Sequence, residues 1–297
     1  MKRVDHMIDY LVKAASEDFS FTVSIAITTN LVEKAREIHN TSKLATAALG
    51  RALSLVGIMG TELESTQTIS FQIISNGPLK GLFVQSDAYG NVRGYVKNPY
   101  IELPPNEIGK IDVETGIGKT GYLYVVKDLG FGSPYIGITP LVKGGIATDL
   151  AHYFYHSEQT PSVVAAGTYT DRSGRVEASG GMIGRVLPGT DSSKINILED
   201  KIRQLPPLSE LIREYSSSEA IMRILFGDIP YTIIEKRLLK YHCPCSKDRA
   251  KATLILLGKK EIESMIEEGS AEVTCIFCGS HYHFKKKELE DILSKMS

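Results

Sequence analysis

The residues best suited to chemistry in this 297-residue chain are its four cysteines, which all lie near the carboxyl end. Cys243 and Cys245 form a C-x-C pair, and Cys275 and Cys278 form a C-x-x-C pair. Two close pairs of thiolates separated by a folded insert suit tetrahedral zinc, because each pair supplies two ligands from a tight turn. Gly279 follows the second pair and permits the positive φ angle that such a turn often needs. We expect all four cysteines to bind one zinc ion.

Three histidines near these pairs are alternative ligands. His242 precedes the first pair, and His281 and His283 follow the second pair. An imidazole nitrogen can replace one thiolate in a zinc site. The competing interpretation is that the last two histidines lie on a surface strand, and we prefer the set of four cysteines.

The spacing of the thiols bears on whether the zinc site is a structural zinc ribbon or a reversible redox switch. Structural zinc ribbons usually carry C-x-x-C at both ends, with about 15 to 20 residues between the pairs. This chain departs from that pattern both in its C-x-C pair and in its longer insert. A disulfide within C-x-C closes a small, strained ring and is more easily reduced than a structural bridge, so the pair suits a reversible switch.

The insert between the two pairs has the signals of two short helices. Ser246 is a suitable N-cap for a helix that runs to Leu257 and ends at Gly258, and a second helix closes at Gly269. Cations around the insert could offset the thiolate charge and keep the thiols reactive toward peroxide, although a lysine run is more often a solvated face. These cations are Lys240, Lys247, Arg249 and the lysines at 285–287.

The placement of the cysteines and the charge balance bear on location and partners. The first 242 residues contain no cysteine, which favours a reducing compartment over a secreted disulfide framework. Asp5 and Asp9 interrupt the amino-terminal segment where an export signal needs an apolar run, so we expect a cytoplasmic protein. The apolar stretch 44–60 contains Arg51 and suits a buried helix, not a membrane span. The net charge of -1 argues against a nucleic-acid-binding surface.

Motifs of ordinary enzymes are incomplete. The segment Gly116-Ile-Gly-Lys-Thr resembles the end of a phosphate-binding loop, but Val113 stands where the first glycine is required. The glycines at 180–184 lack dinucleotide-binding spacing. His152 and His156 share a helix face without the glutamate of a metalloprotease motif. We expect no enzyme activity and no nucleotide.

The elements that must support the cysteines form an α+β chain. Two helices are expected, one opening at Asn30 and one over 41–64, with a third over 147–157. Runs of β type, separated by turn signals such as Asn76-Gly-Pro, predict antiparallel strands. These strands are expected over 68–75, 81–86, 92–96, 121–127, 163–169 and 181–187. The first domain is therefore antiparallel sheet packed with helices.

After this domain the apolar residues are spaced as in helices, and the sequence patterns typical of strands end. From 191 to 240 the apolar residues recur at helical spacing, interrupted by Pro206-Pro207 and by three serines at 216–218. Two interpretations stay open: these helices simply pack on the first domain, or they form a segment that docks conditionally. The expected domains are 1–190, a helical linker over 191–237, and a small zinc-binding α+β domain over 238–297.

The motifs resemble those of a known family, the redox-regulated 33-kDa heat-shock chaperones of the bacterial cytosol. The most specific match is Tyr241-His-Cys-Pro-Cys-Ser-Lys-Asp-Arg249 together with Val273-Thr-Cys-Ile-Phe-Cys-Gly-Ser-His-Tyr282. Supporting matches are Ala48-Leu-Gly-Arg-Ala52 and Gly90-Asn-Val-Arg-Gly-Tyr-Val-Lys-Asn-Pro99. The resemblance spans nearly the whole chain.

This resemblance implies an ATP-independent holdase of the stress response, inactive while reduced and zinc-bound. It implies that oxidation forms disulfides Cys243–Cys245 and Cys275–Cys278, releases zinc, unfolds the last domain and exposes apolar surface for unfolding client proteins. It also implies a homodimer in the active state. The alternative that the residues leave open is a constitutive zinc-ribbon protein that binds nucleic acid or a protein partner.

Overall fold

The computed structural model describes residues 8–187 and 189–296. Asp5, on which part of the export-signal argument depends, lies outside these residues. The chain divides into two compact units, the first ending at His242 and the second beginning at Cys243. Both units combine helices and sheet, which confirms the expected α+β class.

The first unit contains two sheets. The five-stranded antiparallel sheet has the spatial order β10-β1-β2-β9-β8. Its strands are β1 (Tyr10–Ser16), β2 (Phe21–Ile27), β8 (Ser162–Thr170), β9 (Val176–Val186) and β10 (Tyr231–Leu238). The six-stranded sheet has the order β11-β5-β4-β3-β6-β7 and is antiparallel except at the short β11. Its strands are β3 (Thr68–Ser75), β4 (Gly81–Asp87), β5 (Asn91–Val96), β6 (Gly121–Asp128), β7 (Tyr135–Pro140) and β11 (Lys240–Tyr241).

Seven helices accompany these sheets in the described part of the first unit. They are α1 (Thr29–His39), α2 (Lys43–Gly60), α3 (Val113–Ile117), α4 (Ala147–His156), α5 (Ser192–Gln204), α6 (Leu208–Tyr215) and α7 (Ser218–Phe226). The central helix is α2, which packs against strands of both sheets and supplies much of the larger core. It is the one described helix with the length and hydropathy of a membrane span, but 89% of it is buried, as expected for a core helix.

Close packing explains the small residues of α2. A Cβ atom at Gly50 would lie 2.4 Å from Thr168 Oγ1 and 2.8 Å from Val32 Cγ1, so glycine lets β8 and α1 approach the helix. The helices α5, α6 and α7 bury a second, smaller core against the five-stranded sheet. They cover a face of β1, β2 and β9 that would otherwise be apolar and exposed.

Most predicted strands lie within one or two residues of the observed bounds, although β9 begins earlier than expected, at Val176. The expected helix start at Asn30 is wrong. The helix begins at Thr29, and the Asn30 and Leu31 amides donate to the carboxylate of Asp9 at 3.2 and 2.5 Å. The cap is supplied from 21 residues away, where local spacing gives no signal.

The expectation of helix throughout 191–240 is wrong beyond Phe226. Helices α5, α6 and α7 match the three apolar stripes, but Tyr231–Leu238 is strand β10, which pairs with β1 along its length. Ile233 and Ile234 are exposed on this edge strand, so its apolar residues do not alternate cleanly. The domain boundaries expected from the sequence stay a prediction.

The second unit is a small α+β module. It contains α8 (Lys247–Leu257), α9 (Lys259–Glu268), β12 (Ser270–Thr274), β13 (His281–Lys285) and α10 (Lys286–Ser294). Ser246 caps α8 through its side chain, and the glycines at 258 and 269 end the two insert helices, as predicted. Strands β12 and β13 form an antiparallel hairpin whose turn carries the second cysteine pair.

Candidate metal centre

The local structure around the cysteines brings two chain segments together. Cys243 and Cys245 lie in the irregular segment that enters α8, and Cys275 and Cys278 lie in the turn between β12 and β13. This turn is fixed by its own backbone, since the amide of Cys275 donates to the carbonyl of Ser280 at 2.9 Å and that of Gly279 to the carbonyl of Cys275 at 2.8 Å. Gly279 has a φ of +70°, the left-handed conformation that its position predicted.

The four thiols form one cluster. Their Sγ atoms all lie within 4.8 Å of one another, and each cysteine is half-buried and outside any disulfide. Cys243 Sγ lies 3.7 Å from Cys275 Sγ, and Cys245 Sγ lies 3.2 Å from Cys278 Sγ. A tetrahedral site with zinc–sulfur bonds of about 2.3 Å has sulfurs about 3.8 Å apart. The cluster therefore has the donor set and the dimensions that zinc binding requires.

Hydrogen-bond donors and acceptors surround the sulfurs. Tyr282 Oη donates to Cys245 Sγ at 3.0 Å, and Cys278 Sγ lies 3.2 Å from Ser280 Oγ. The bond to Cys245, together with burial, raises the pKa of the Tyr282 hydroxyl to about 12, so this residue keeps its proton. Burial raises the pKa of the Cys275 thiol. Sequence reasoning missed Tyr282, although the alternation of β13 places it on the same strand face as the buried Phe284.

The histidines proposed as alternative ligands have other partners or positions. His281 Nδ1 lies 2.7 Å from Glu272 Oε1, and His283 Nδ1 lies 3.1 Å from Glu272 Oε2, all on the exposed face of the hairpin. His242 belongs to the first unit, where its amide donates to the carbonyl of Val92. Among residues 8–187 and 189–296, the four cysteines are the one group of three or more potential ligands whose donor atoms lie close enough together to hold a single metal ion.

One of the expected counter-charges, Lys247, has a carboxylate partner. Lys247 Nζ donates to Glu288 Oε1 at 2.6 Å, so its charge is balanced by a carboxylate. Glu288 also accepts from the amide of Lys285 and so helps to begin α10. These contacts favour a structural role for Lys247 within the second unit.

The core that supports the cluster is small. Only six side chains in the described part of the second unit form its buried apolar cluster: Ala250, Leu254, Ile262, Phe284, Leu289 and Ile292. A core of this size gives little stability to a module of about 55 residues, and natural modules in this range usually add metals or disulfides. A metal cross-link or a disulfide at the four thiols would join the segment of Cys243 and Cys245 to the hairpin.

The motifs set aside as incomplete form no second cluster. Gly116 to Gly118 complete the short helix α3 and the turn after it, and a Cβ at Gly116 would meet Leu44. His152 and His156 lie on one face of α4 with ring centroids 4.2 Å apart. Neither belongs to a group of three potential metal ligands among the residues that the structure describes.

Fold and site together define a two-unit α+β protein in which a body without cysteines precedes a small four-thiol module. A family model described as Hsp33 protein matches residues 9–285. The chain is 43% identical over 291 residues to the 33 kDa chaperonin of Desulforamulus reducens, covering 98% of this chain and 99% of that protein. It is 42% identical over 287 residues to the 33 kDa chaperonin of Oceanobacillus iheyensis, with 96% and 99% covered.

A solved structure agrees with these relatives. The crystal structure of the 33 kDa chaperonin from Thermotoga maritima superposes with a TM-score of 0.89 at 37% identity, covering 98% of this chain and 99% of that one. The chain belongs to the Hsp33 family. This family is one of chaperones and not of enzymes, which confirms the resemblance drawn from the cysteine motifs.

Proposed function

We propose that this protein is a redox-regulated, ATP-independent holdase of the cytoplasm, switched by Cys243, Cys245, Cys275 and Cys278. The observation that carries the proposal is the meeting of four thiols within 4.8 Å in a unit with a very small core. In the reduced protein these thiolates hold zinc, which supplies a tetrahedral cross-link between the segment entering α8 and the hairpin turn. Folding of the second unit therefore depends on the oxidation state of its sulfurs.

Oxidation by peroxide removes the ligands in balanced steps. A cysteine thiolate attacks one peroxide oxygen, so that the sulfur becomes a sulfenic acid and the other oxygen leaves as hydroxide. A second thiol then attacks the sulfenic sulfur, forms the disulfide and releases water. Each disulfide thus consumes one peroxide and two electrons from two sulfurs. Sulfurs paired in disulfides no longer offer thiolate ligands.

The pairing of the sulfurs decides whether the second unit can open. The two short sulfur distances, 3.7 and 3.2 Å, join cysteines of different pairs that are 32 and 33 residues apart. Disulfides between those cysteines would keep the two segments joined, because they would replace the zinc cross-link by a covalent one. Bonds within each pair, Cys243–Cys245 and Cys275–Cys278, close only small rings and leave the segments separate. Family membership favours this second pairing, and it is the one that we propose.

Opening of the second unit then acts on the helical segment of the first. Helices α5, α6 and α7 bury an apolar face of the five-stranded sheet, and their own contribution to this core includes Leu211 and Ile212 of α6 and Met222 and Phe226 of α7. Release of these helices exposes their own apolar stripe and the sheet beneath, which gives a surface for unfolding client proteins. Exposed apolar surface also favours self-association, so we expect the active form to be a homodimer.

The test follows zinc, disulfides and holdase activity together. The purified reduced protein is treated with peroxide while released zinc is measured with a colorimetric chelator and light scattering reports aggregation of a chemically unfolded client. Peptide mapping without reduction identifies the disulfides. We expect zinc release, pairing within each motif and suppression of aggregation to appear together, and reduction to reverse them.

Two outcomes contradict the proposal. Unchanged holdase activity after complete zinc loss would exclude a redox switch, and disulfides joining residues 243 and 275 would exclude the proposed opening. Nucleic-acid affinity that falls steeply with salt would instead favour the constitutive zinc ribbon. A Cys275→Ser and Cys278→Ser double variant is the matched control, because it removes the hairpin ligands without allowing a disulfide there.

A further inference from the structure

Helix α4 carries two histidines one turn apart. His152 and His156 lie on one face of the helix, with ring centroids 4.2 Å apart. Residues four positions apart are neighbours on a helix surface, and two histidines at this spacing bind zinc in metalloproteases. The glutamate of that protease motif is a general base and not a ligand. Its absence here therefore removes the hydrolytic chemistry but leaves the pair of ligands intact.

The fold itself does not use the ring nitrogens of this pair. Nδ1 of His152 is buried and has no hydrogen-bond partner among the described residues, and within the same residues the ring of His156 makes no hydrogen bond. A buried imidazole nitrogen is normally paired, because leaving it unpaired costs free energy. Burial, and then the neighbouring His156, lower the pKa of His152, while Asp149 opposes this change. The His152 ring is therefore predominantly neutral at pH 7, which is the form that binds metals.

The backbone that carries the two histidines is held in place by the first unit. Tyr153 and Phe154 of α4 are fully buried in its core. At the start of the helix, the carboxylate of Asp149 accepts hydrogen bonds from three amides of the preceding loop, including that of Ile146 at 3.2 Å. Because the helix does not have to form around an ion, the two ligands are preorganised.

The pair can bind an ion but cannot enclose one. Two nitrogens about 2.1 Å from one tetrahedral ion are about 3.4 Å apart, a spacing within reach of rings whose centroids are 4.2 Å apart. His156 is exposed and His152 is half-buried, so solvent reaches both rings. No third potential protein ligand lies with them among the described residues, so water must complete the coordination. We therefore expect weaker binding here than at the four thiolates.

We propose that His152 and His156 form a second zinc-binding site, in the first unit and separate from the four cysteines. Neutral imidazole nitrogens suit zinc and other late first-row divalent ions, whereas magnesium and calcium prefer oxygen ligands. The pair therefore selects zinc over magnesium. Since none of its ligands is a thiol, oxidation of the cysteines leaves its donor atoms unchanged, and the site does not depend on the proposed redox switch.

The experiment titrates zinc chloride into the reduced full-length protein after its cysteines have been loaded with one equivalent of zinc. Isothermal titration calorimetry should detect one further, weaker equivalent in the wild type, and none when magnesium chloride is used instead. His152→Gln and His156→Gln should each weaken this second binding at least about tenfold, since loss of even an outer-shell partner of a metal site typically costs that much. The double variant should lose little more than either single variant, because a lone imidazole no longer chelates the ion.

Nuclear magnetic resonance of ¹⁵N-labelled histidine rings locates the ion independently of the affinity. The ring signals of His152 and His156 should shift together as zinc is added. His283→Gln is the matched control, because it removes a histidine whose side chain is 71% exposed in the second unit and should leave the second equivalent unchanged. Circular dichroism checks the fold of each variant, and the variant of the exposed His156 keeps the test decisive if that of the half-buried His152 folds poorly.

Three results overturn the inference. A wild-type protein that binds only the equivalent held by its cysteines would exclude a second site. An equal loss in His283→Gln would show nonspecific binding by surface histidines. A shift of one α4 ring without the other would exclude a chelating pair. Failure of the redox switch would instead remove redox-dependent suppression of aggregation and leave the second zinc equivalent in place.

Discussion

Glu219 ties helix α7 to two strands of the five-stranded sheet. Its carboxylate accepts a hydrogen bond from Tyr10 Oη of β1 at 2.5 Å and another from Lys236 Nζ of β10 at 2.7 Å. Burial acts to raise the pKa of Glu219, but these two bonds, together with hydrogen bonds from Ser217 and the backbone, lower the pKa from 4.5 to about 2. We predict that Glu219→Gln loosens the helical segment without unfolding the rest of the first unit.

The size of the effect follows from the pKa. A lowering from 4.5 to about 2 corresponds to at most about 3 kcal/mol of stabilisation of the folded state. Lys236 is 59% exposed, so solvent screens the ion pair, and glutamine can still accept the bond from Tyr10. We therefore expect Glu219→Gln to destabilise the segment by about 1–2 kcal/mol at neutral pH. Because the pKa is lowered in the folded protein, this difference is present above about pH 4.5 and disappears as pH falls toward 2.

Hydrogen exchange followed by mass spectrometry measures this loosening by segment. Peptides from α5, α6, α7 and β10 should exchange about tenfold faster in reduced Glu219→Gln than in the reduced wild type, since about 1.4 kcal/mol changes an opening equilibrium tenfold. Glu158→Gln is the matched control, because Glu158 also forms an ion pair, with 2.5 Å between its Oε1 and Lys127 Nζ, elsewhere in the first unit. Unchanged rates in the helical segment, or equal acceleration throughout β3 to β6, would refute the reasoning.

Three further predictions test the packing, the first helix and the thiol cluster. Gly50→Ala should destabilise the first unit by about 1–3 kcal/mol in urea unfolding, because its Cβ would clash with Thr168; a smaller effect would mean that β8 can shift away. Burial raises the pKa of Asp9 to about 7, so its contribution to folded-state stability falls as pH rises from about 4 through 7. Asp9→Asn should remove this slope from the melting temperature, and parallel pH curves for the two proteins would contradict it. Tyr282→Phe should speed thiol loss to peroxide, because it removes the hydrogen bond that lowers the nucleophilicity of Cys245, and equal rates would exclude that role.

The sequence predicted best those features that local spacing determines. The cysteine turn, the Ser246 cap and the ends of the insert helices all depend on residues within a few positions of one another. The strands of the six-stranded sheet were bounded by glycine- and asparagine-rich turns, so β3 matched its expected limits and β4 to β6 nearly did. The meeting of the two cysteine pairs was predictable because zinc chemistry requires it, even though 32 residues separate Cys243 from Cys275.

Features that depend on distant partners were not predictable in this way. The cap of α1 comes from Asp9, which directly precedes β1. The last part of the segment expected to be helical is instead strand β10, which pairs with β1. The β-branched run Thr232-Ile-Ile234 after Pro230 was the available signal for that strand. It lacked the alternation of a half-buried strand because β10 is an edge with both isoleucines exposed.

The position of β10 bears on how the proposed switch at the cysteines would reach α5, α6 and α7. The chain stays hydrogen-bonded to the first unit up to His242, whose amide donates to the carbonyl of Val92, and Cys243 is the next residue. In the proposed switch, a backbone change at Cys243 would act first on β11 and then on β10, because these strands directly precede the first cysteine in the chain. Lys236 of β10 bonds to Glu219 at the start of α7, so loosening of β10 also removes a bond that holds the helices.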